Sequence, residues 1–215
     1  MNKNHLGIRL VLYFSGLFIM TLGVIISTKS NLGVTPISSI PYAVSLASGM
    51  NFGVSTALLS VLMVLAQIVI LKKQFKPINL FQFPVGILFG SFISFCQSLM
   101  NGISVPDSLI IRFIFMLFST FVVAIGVFLY ISVHLIPLAP DGLMLVVAQV
   151  TKKSFPSIKT VFDVTMVCIS LVLCIITIGN TGSVGVGTII TAIFVGNEVK
   201  ILNKLLGPSL TKLLK

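Results

Sequence analysis

Charged residues are scarce in this chain. Asp, Glu, Lys and Arg make up 8% of its 215 residues, whereas hydrophobic residues make up 56%. Ordinary soluble domains carry about 25% charged residues. A water-facing surface cannot be built from this composition, which excludes a soluble enzyme and a nucleic-acid-binding domain. The apolar runs are also too long for the strands of a membrane β-barrel, so we predict an all-α polytopic membrane protein.

The residue types that most often carry enzyme chemistry are also few. The sequence has four acidic residues, two histidines, three cysteines and no tryptophan. Cys96, Cys168 and Cys174 lie inside apolar runs without metal-ligand spacing, and we interpret them as packing residues. No nucleophile–histidine–acid set or phosphate loop is recognisable. We therefore expect no enzymatic activity and no cofactor.

Two kinds of apolar segment can be distinguished by length, since a spanning helix needs about 20 residues. The segments long enough to cross a bilayer are 7–27, 54–72, 79–98, 109–133, 157–178 and 184–202. Two others, 36–48 and 140–151, are too short and begin with a proline, which suits the first turn of a helix. Each follows a stretch predicted to be non-helical, 28–35 or 134–139. This layout predicts six transmembrane helices and two short re-entrant helices.

An internal repeat accounts for this order of segments. Matching residues recur in the same order at an offset that grows from 103 to 106. The matched pairs are Arg9 and Arg112, Gly23 and Gly126, Pro36 and Pro140, Gly86 and Ala192, and Gly90 and Gly196. The chain is thus predicted to be one membrane domain, 1–215, with repeats at about 7–98 and 109–202.

The basic residues indicate how the two repeats are related. If both short helices enter and leave on one side, each repeat has three spans and the second is inverted. One side of the membrane then holds Lys3, Arg9, Lys72, Lys73, Lys76, Lys152, Lys153, Lys159, Lys200, Lys204, Lys212 and Lys215, and the other only Lys29 and Arg112. If the short helices crossed instead, the cluster at 72–76 would change sides. The positive-inside rule favours the inverted 3+3 arrangement with both termini cytoplasmic.

Three stretches carry a resemblance to a known family. They are HLIPLAPDGLMLVVAQ, SIKTVFDVTMV and GSVGVGTIITAIFVGNEV. In these stretches the chain resembles the YczE-type family of bacterial integral membrane proteins, and more distantly the YitT-type proteins. The resemblance runs from the first span to about Asn203. It implies a multi-pass protein of the bacterial plasma membrane and no particular chemistry.

Asp141 is the most informative acidic residue, because it follows Pro140 at the start of the second short helix. A carboxylate there gains about 0.3–1 kcal/mol from the helix dipole. Placing an Asp at the centre of a membrane costs more, about 2.5–3.5 kcal/mol. Two interpretations stay open: Asp141 couples transport to a proton or cation, or it only stabilises the first turn.

Asp163 lies in the fifth span, one turn after Lys159. An ion pair between the two is the favoured interpretation, and the alternative is a second carboxylate lining a vestibule shared with Asp141. Arg112 is the repeat mate of Arg9. It either anchors the helix at the interface or attracts an anionic solute.

Polar residues near the two short helices complete the predicted solute or ion pathway. Thr35, Ser38 and Ser39 open the first short helix, where Ala139, Gly142 and Leu143 stand in the second. Two helix N-termini that approach each other near the membrane centre would favour a small polar or anionic solute. Gln149 lies eight residues after Asp141, and interhelical hydrogen bonding is its expected role.

These features predict a secondary transporter or permease of a small polar or anionic solute or ion, with or without coupling to protons or cations. Its partners would be the lipid bilayer and its substrate, and not nucleic acid. The alternatives are a non-transporting subunit or scaffold, including the substrate-capturing component of an ATP-driven importer, and a channel. A homo-oligomer or a partner subunit would fit any of them.

Overall fold

The computed structural model describes residues 3–214, and this part of the chain is helical, without strands. Lys215, which we predicted on the cytoplasmic side, and residues 1–2 of the predicted domain lie outside the described residues. The α-helices are α1 Lys3–Ser30, α2 Pro36–Ser48, α3 Phe52–Leu71, α4 Gln82–Leu99, α5 Leu109–Ser132, α6 Ala139–Thr151, α7 Phe155–Ile178 and α8 Val186–Leu213. Two short 3-10 helices, Lys72–Gln74 and Pro77–Phe81, join α3 to α4.

Five of these helices are long and apolar enough to cross a membrane. The segments are Leu6–Ser30, Phe52–Gln74, Pro77–Leu99, Leu109–Ser132 and Phe155–Ile178. The sixth predicted span, 184–202, corresponds to α8, which is not among the five. It continues past Pro208 to Leu213 and carries Asn197, Glu198 and Lys200 along its middle.

Both short helices form where the prolines indicated. Pro36 occupies the first turn of α2, and α2 ends at Gly49, whose φ of 71° is the left-handed conformation that glycine tolerates best. Pro140 occupies the first turn of α6. One boundary was wrong: residues 28–30, predicted to be non-helical, continue α1. Thr28 and Ser30 donate hydrogen bonds to carbonyls three residues earlier, and such bonds are compatible with a helix.

Glycines bring α1 and α5 into close antiparallel contact. A Cβ atom on Gly16 would lie 2.7 Å from the backbone nitrogen of Tyr130, and one on Gly23 would lie 2.7 Å from that of Val123. Residues later in α1 therefore contact residues earlier in α5. Side chains at these two glycines would push the helices apart.

The short helices cross between the halves of the chain. Helix α2 packs against α7 as well as α3, and α6 packs against α3 as well as α7. A buried cluster joins these four helices around Met63 and Met166, which are 5% and 4% exposed. The centre of the fold is thus built equally from both halves.

The last two helices of each half pack differently. Helices α3 and α4 run along each other, and a Cβ atom on Gly86 would lie 2.6 Å from that of Ser60. Among the described residues, no comparable packing joins α7 and α8. Helix α8 packs on α5 instead.

Candidate functional site

The start of α6 is held by a pair of buried glutamines. Gln67 of α3 donates from Nε2 to Oε1 of Gln82 at 2.8 Å and to the carbonyl oxygen of Ala139 at 3.2 Å. Gln82 donates back to Oε1 of Gln67 at 3.2 Å. Both side chains are almost fully buried. Gly142 lies directly over them, since a Cβ there would stand 2.7 Å from the Gln82 amide. We call Gln67 and Gln82 the glutamine clamp.

A corresponding pair of serines holds the first turn of α2. Ser170 of α7 donates to the carbonyl oxygen of Ser39 at 2.9 Å. Its hydroxyl also lies 2.5 Å from that of Ser183, in the loop before α8. The backbone carbonyl of Ser183 accepts from the Val34 amide at 3.1 Å. We call Ser170 and Ser183 the serine clamp. In both clamps, one half of the chain supplies the polar side chains and the other half supplies the short helix.

Asp141 faces α5 from the first turn of α6. Its Oδ2 accepts a hydrogen bond from the Tyr130 hydroxyl. Tyr13 of α1 packs edge-on against Tyr130, with ring centroids 6.1 Å apart, and donates to the carbonyl oxygen of Ile136 at 2.7 Å. The two tyrosines thus fix Asp141 and the loop before α6 to α1 and α5. The sequence alone does not connect the two tyrosines with Asp141, because these contacts depend on how α1, α5 and α6 pack together.

Asp163 forms the predicted ion pair. Lys159 Nζ lies 2.9 Å from Oδ2 of Asp163, and the side chains are 44% and 16% exposed. The other carboxylate oxygen, Oδ1, is buried without a hydrogen-bond partner. The structure therefore pairs Asp163 with Lys159, as the i, i+4 spacing indicated.

Glu198 lies at a second polar contact between helices. Its Oε1 accepts from the Thr120 hydroxyl at 3.1 Å, and its Oε2 is buried without a partner. Among residues 3–214, no lysine is described within ion-pair distance of Glu198, although Lys200 is nearby in the sequence.

The remaining predicted residues lie in different places. The Thr35 hydroxyl donates to that of Ser38 at 2.9 Å in the turn before the serine clamp. Ser39 donates to the carbonyl oxygens of Pro36 and Met166 at 2.7 and 3.3 Å. Gln149 is exposed near the end of α6, away from Gly142 and the glutamine clamp.

Arg112 and Arg9, which the predicted repeat matches, each donate to a backbone carbonyl near the end of an earlier or later helix. Arg112 donates from Nε to the carbonyl oxygen of Pro106 at 2.6 Å, in the segment after α4. Arg9 donates from Nη2 to the carbonyl oxygen of Leu214 at 3.4 Å, just after α8. Arg9 therefore links α1 to the residue after α8, and Arg112 links α5 to the segment after α4.

Two cavities lie at opposite ends of the helix bundle. The α1–α4 cavity, of about 160 Å³, is lined by Ile25, Thr28, Lys29, Tyr42, Phe52, Gln97, Asn101 and Val105. The α5–α8 cavity, of about 270 Å³, is lined by Phe128, Ile131, Ser132, His134, Val199, Lys200, Asn203, Gly207, Leu210, Thr211 and Leu214. None of these lining residues is acidic. Among residues 3–214, no three His, Cys, Asp or Glu side chains are grouped to hold a metal ion.

Comparison with protein families places most of the chain in a known family model. The family model that matches residues 7–204 is described as a family of unknown function, DUF6198. The chain belongs to this family. Its helices and both clamps lie almost wholly within the matched region. No curated protein and no solved structure matches the chain. The resemblance to the YczE-type family stays a prediction.

Proposed function

We propose that the protein is a secondary transporter of a small polar or anionic solute across the bacterial plasma membrane. It would have six spans and two re-entrant helices in two inverted repeats. The observation that carries this proposal is the reciprocal pair of clamps. Each short helix starts against polar side chains from the other half, so rocking one half against the other would move both helix starts together.

Two further contacts support an inverted relation between the halves. Helices α1 and α5, the first of each repeat, pack antiparallel through Gly16 and Gly23. The matched arginines, Arg9 and Arg112, bind carbonyls of the segments after α8 and α4, at opposite ends of the bundle. A parallel duplication would place both arginines at the same end.

Helix α8 serves as the sixth span in this proposal. It lies beside α5, which is long and apolar enough to cross, and contacts it from Met116 near one end to the α5–α8 cavity near the other. A helix that accompanies a spanning helix over this distance crosses the same thickness. Its polar residues then lie at membrane depth, where they are costly unless they have a role.

Cysteine labelling tests the topology. In a variant without the native cysteines, Lys73→Cys and Gly102→Cys would be labelled separately by an impermeant maleimide in intact cells. We expect residue 102 to react from outside and residue 73 only after the cells are opened. Labelling of both from the same side would contradict three spans per repeat.

Asp141 is the proposed coupling residue, because it lies at the start of a clamped helix and is bound by Tyr130. Flux of a panel of small carboxylates, amino acids and inorganic anions would be measured in proteoliposomes. We expect proton-dependent flux that Asp141→Asn abolishes, because an amide cannot take up and release the coupling proton.

The matched control is Asp107→Asn, which removes the one acidic residue that lies in an exposed loop. It should leave the flux unchanged. If Asp141→Asn transported as well as the unaltered protein, Asp141 would not be the coupling residue. If no solute on the panel crossed, the transporter proposal itself would fail.

A second candidate function is that of a membrane subunit in an assembly. Helices α7 and α8 favour it, because within residues 3–214 they expose most of their surface and do not pack along each other. Three polar residues, Asn197, Lys200 and Lys204, are also exposed on α8. Crosslinking in membranes followed by mass spectrometry tests it. A stoichiometric partner captured through α8 would favour a subunit, and its absence would favour the transporter.

A further inference from the structure

We propose that the two end cavities are equivalent binding vestibules for a small organic anion, such as a carboxylate with a short apolar chain. This inference rests on the proposed function and names its class of substrate. The α5–α8 cavity would be the larger vestibule in this conformation, and the α1–α4 cavity its smaller counterpart.

The internal repeat relates the two linings to each other. At the offset of 103, Ile25 and Thr28 of α1 correspond to Phe128 and Ile131 of α5. At the offset of 106, three more residues of the α1–α4 cavity correspond to residues of the α5–α8 cavity. The corresponding pairs are Gln97 and Asn203, Asn101 and Gly207, and Val105 and Thr211. Two cavities that recur at matching positions of the chain are more than accidental gaps between packed side chains.

The side chains in both cavities favour an anion. Lys29 lines the α1–α4 cavity, and Lys200 and His134 line the α5–α8 cavity, without an acidic side chain in either lining. A cation would meet only like charge there, whereas an anion would gain a lysine at each end of its path.

Amide groups and apolar walls narrow the class of ligand. Oε1 of Gln97 is buried without a hydrogen-bond partner, so this amide is free to turn towards a ligand. Asn203 occupies the corresponding position in the α5–α8 cavity. Phe128 and Val199 supply an apolar wall beside Lys200. A carboxylate with a short hydrocarbon portion would satisfy both kinds of surface.

The difference in size between the cavities follows from the packing of the fourth helices. Tyr42 of α2 and Phe52 of α3 close the α1–α4 cavity, where α4 packs on α3. No residue of α6 or α7 lines the described α5–α8 cavity, since α8 is not packed on α7. The larger cavity is therefore the same site with one wall withdrawn.

Ligand protection of a cysteine tests this proposal. Asn203→Cys would be the single cysteine of the purified full chain in detergent, and its rate of labelling by a fluorescent maleimide would be measured with butyrate or benzoate. Tetraethylammonium at the same ionic strength is the comparison. For a dissociation constant on the order of 1 mM, about 10 mM carboxylate should slow labelling about tenfold.

Controls distinguish the cavity from general effects on the thiol. Lys200→Gln should abolish the protection, whereas Lys204→Gln, one turn further along α8 and outside the lining, should preserve it. A reporter at Gly196→Cys, where a side chain would meet nothing within 4 Å, should show no protection. Protection that is equal with tetraethylammonium, equal at residue 196, or insensitive to Lys200→Gln would overturn the proposal.

This assay needs no transport, so its outcome separates the two proposals. Protection without flux on any panel member would support the anion site and contradict the transporter. Flux without protection would support the transporter and overturn the anion vestibules.

Discussion

The last two helices of the first half, α3 and α4, pack on each other, whereas in the described part of the chain α7 and α8 of the second half do not. The two halves therefore present different surfaces. In the first half, Gly53 and Gly90 face each other so closely that a side chain on either would collide with the other helix. In the second half, the mate of Gly90 is Gly196, which has open space around it. The same small residue thus forms a tight helix contact in one half and an unoccupied face in the other.

The halves also differ in charge. Three acidic residues lie in helices of the second half, and the residues at the predicted repeat offsets in the first half are apolar. The pairs are Asp141 and Ile37, Asp163 and Leu59, and Glu198 and Phe92. Between the two predicted repeats, the acidic groups that could bind a proton or cation therefore belong to one half.

The largest expected effect is on the tight helix contact. Gly53→Val would force α3 and α4 apart and should lower the free energy of unfolding by about 3 kcal/mol, the upper part of the range for overpacking. Gly196→Val, the control from the open face, should change it by less than about 0.5 kcal/mol. Steric-trap unfolding in bicelles measures both. Equal losses would show that α7 and α8 pack together in the membrane.

The two clamps give the next comparison. Gln67→Leu removes the partner of Gln82 and of the Ala139 carbonyl and should cost about 1–3 kcal/mol, because both groups stay buried. Ser170→Ala removes a smaller group and should cost about 1 kcal/mol. The same unfolding measurement applies. The double variant Gln67→Leu/Gln82→Leu should cost less than the sum of its single changes, and strict additivity would contradict a direct clamp.

Tyr130→Phe tests the hydrogen bond from the Tyr130 hydroxyl to Asp141. The residue matched to Asp141 in the first half, Ile37, cannot make such a bond. The substitution removes the hydroxyl that binds Asp141 and should cost about 0.6–1.7 kcal/mol, as interhelical hydrogen bonds in membranes do. Tyr42→Phe is the control, since Tyr42 packs against Phe52 with ring centroids 5.1 Å apart and has no described hydroxyl partner. A smaller loss at Tyr130 than at Tyr42 would contradict the contact with Asp141.

Much of the architecture could be predicted because its signals are local. Apolar length gave the long helices, and Pro36 and Pro140 marked the short ones to within a residue. The two clamps were not predicted, because the partners of Gln67 and Ser170 depend on which helices cross. Gln82 is the first residue of α4, and Ser183 lies shortly before α8. A polar residue at the start of the last helix of each half is the signal that could have identified them.

The smallest expected effect concerns the ion pair of the second half. Lys159 is nearly half exposed, so its attraction to Asp163 is weakened by solvent at the helix end. Lys159→Gln should therefore lower the free energy of unfolding by only about 0.3–0.5 kcal/mol, and less at high salt. Lys153→Gln, an exposed lysine without a described partner, should have no effect. A loss above about 1.5 kcal/mol would mean that Asp163 is more deeply buried in the membrane than the exposure of Lys159 indicates.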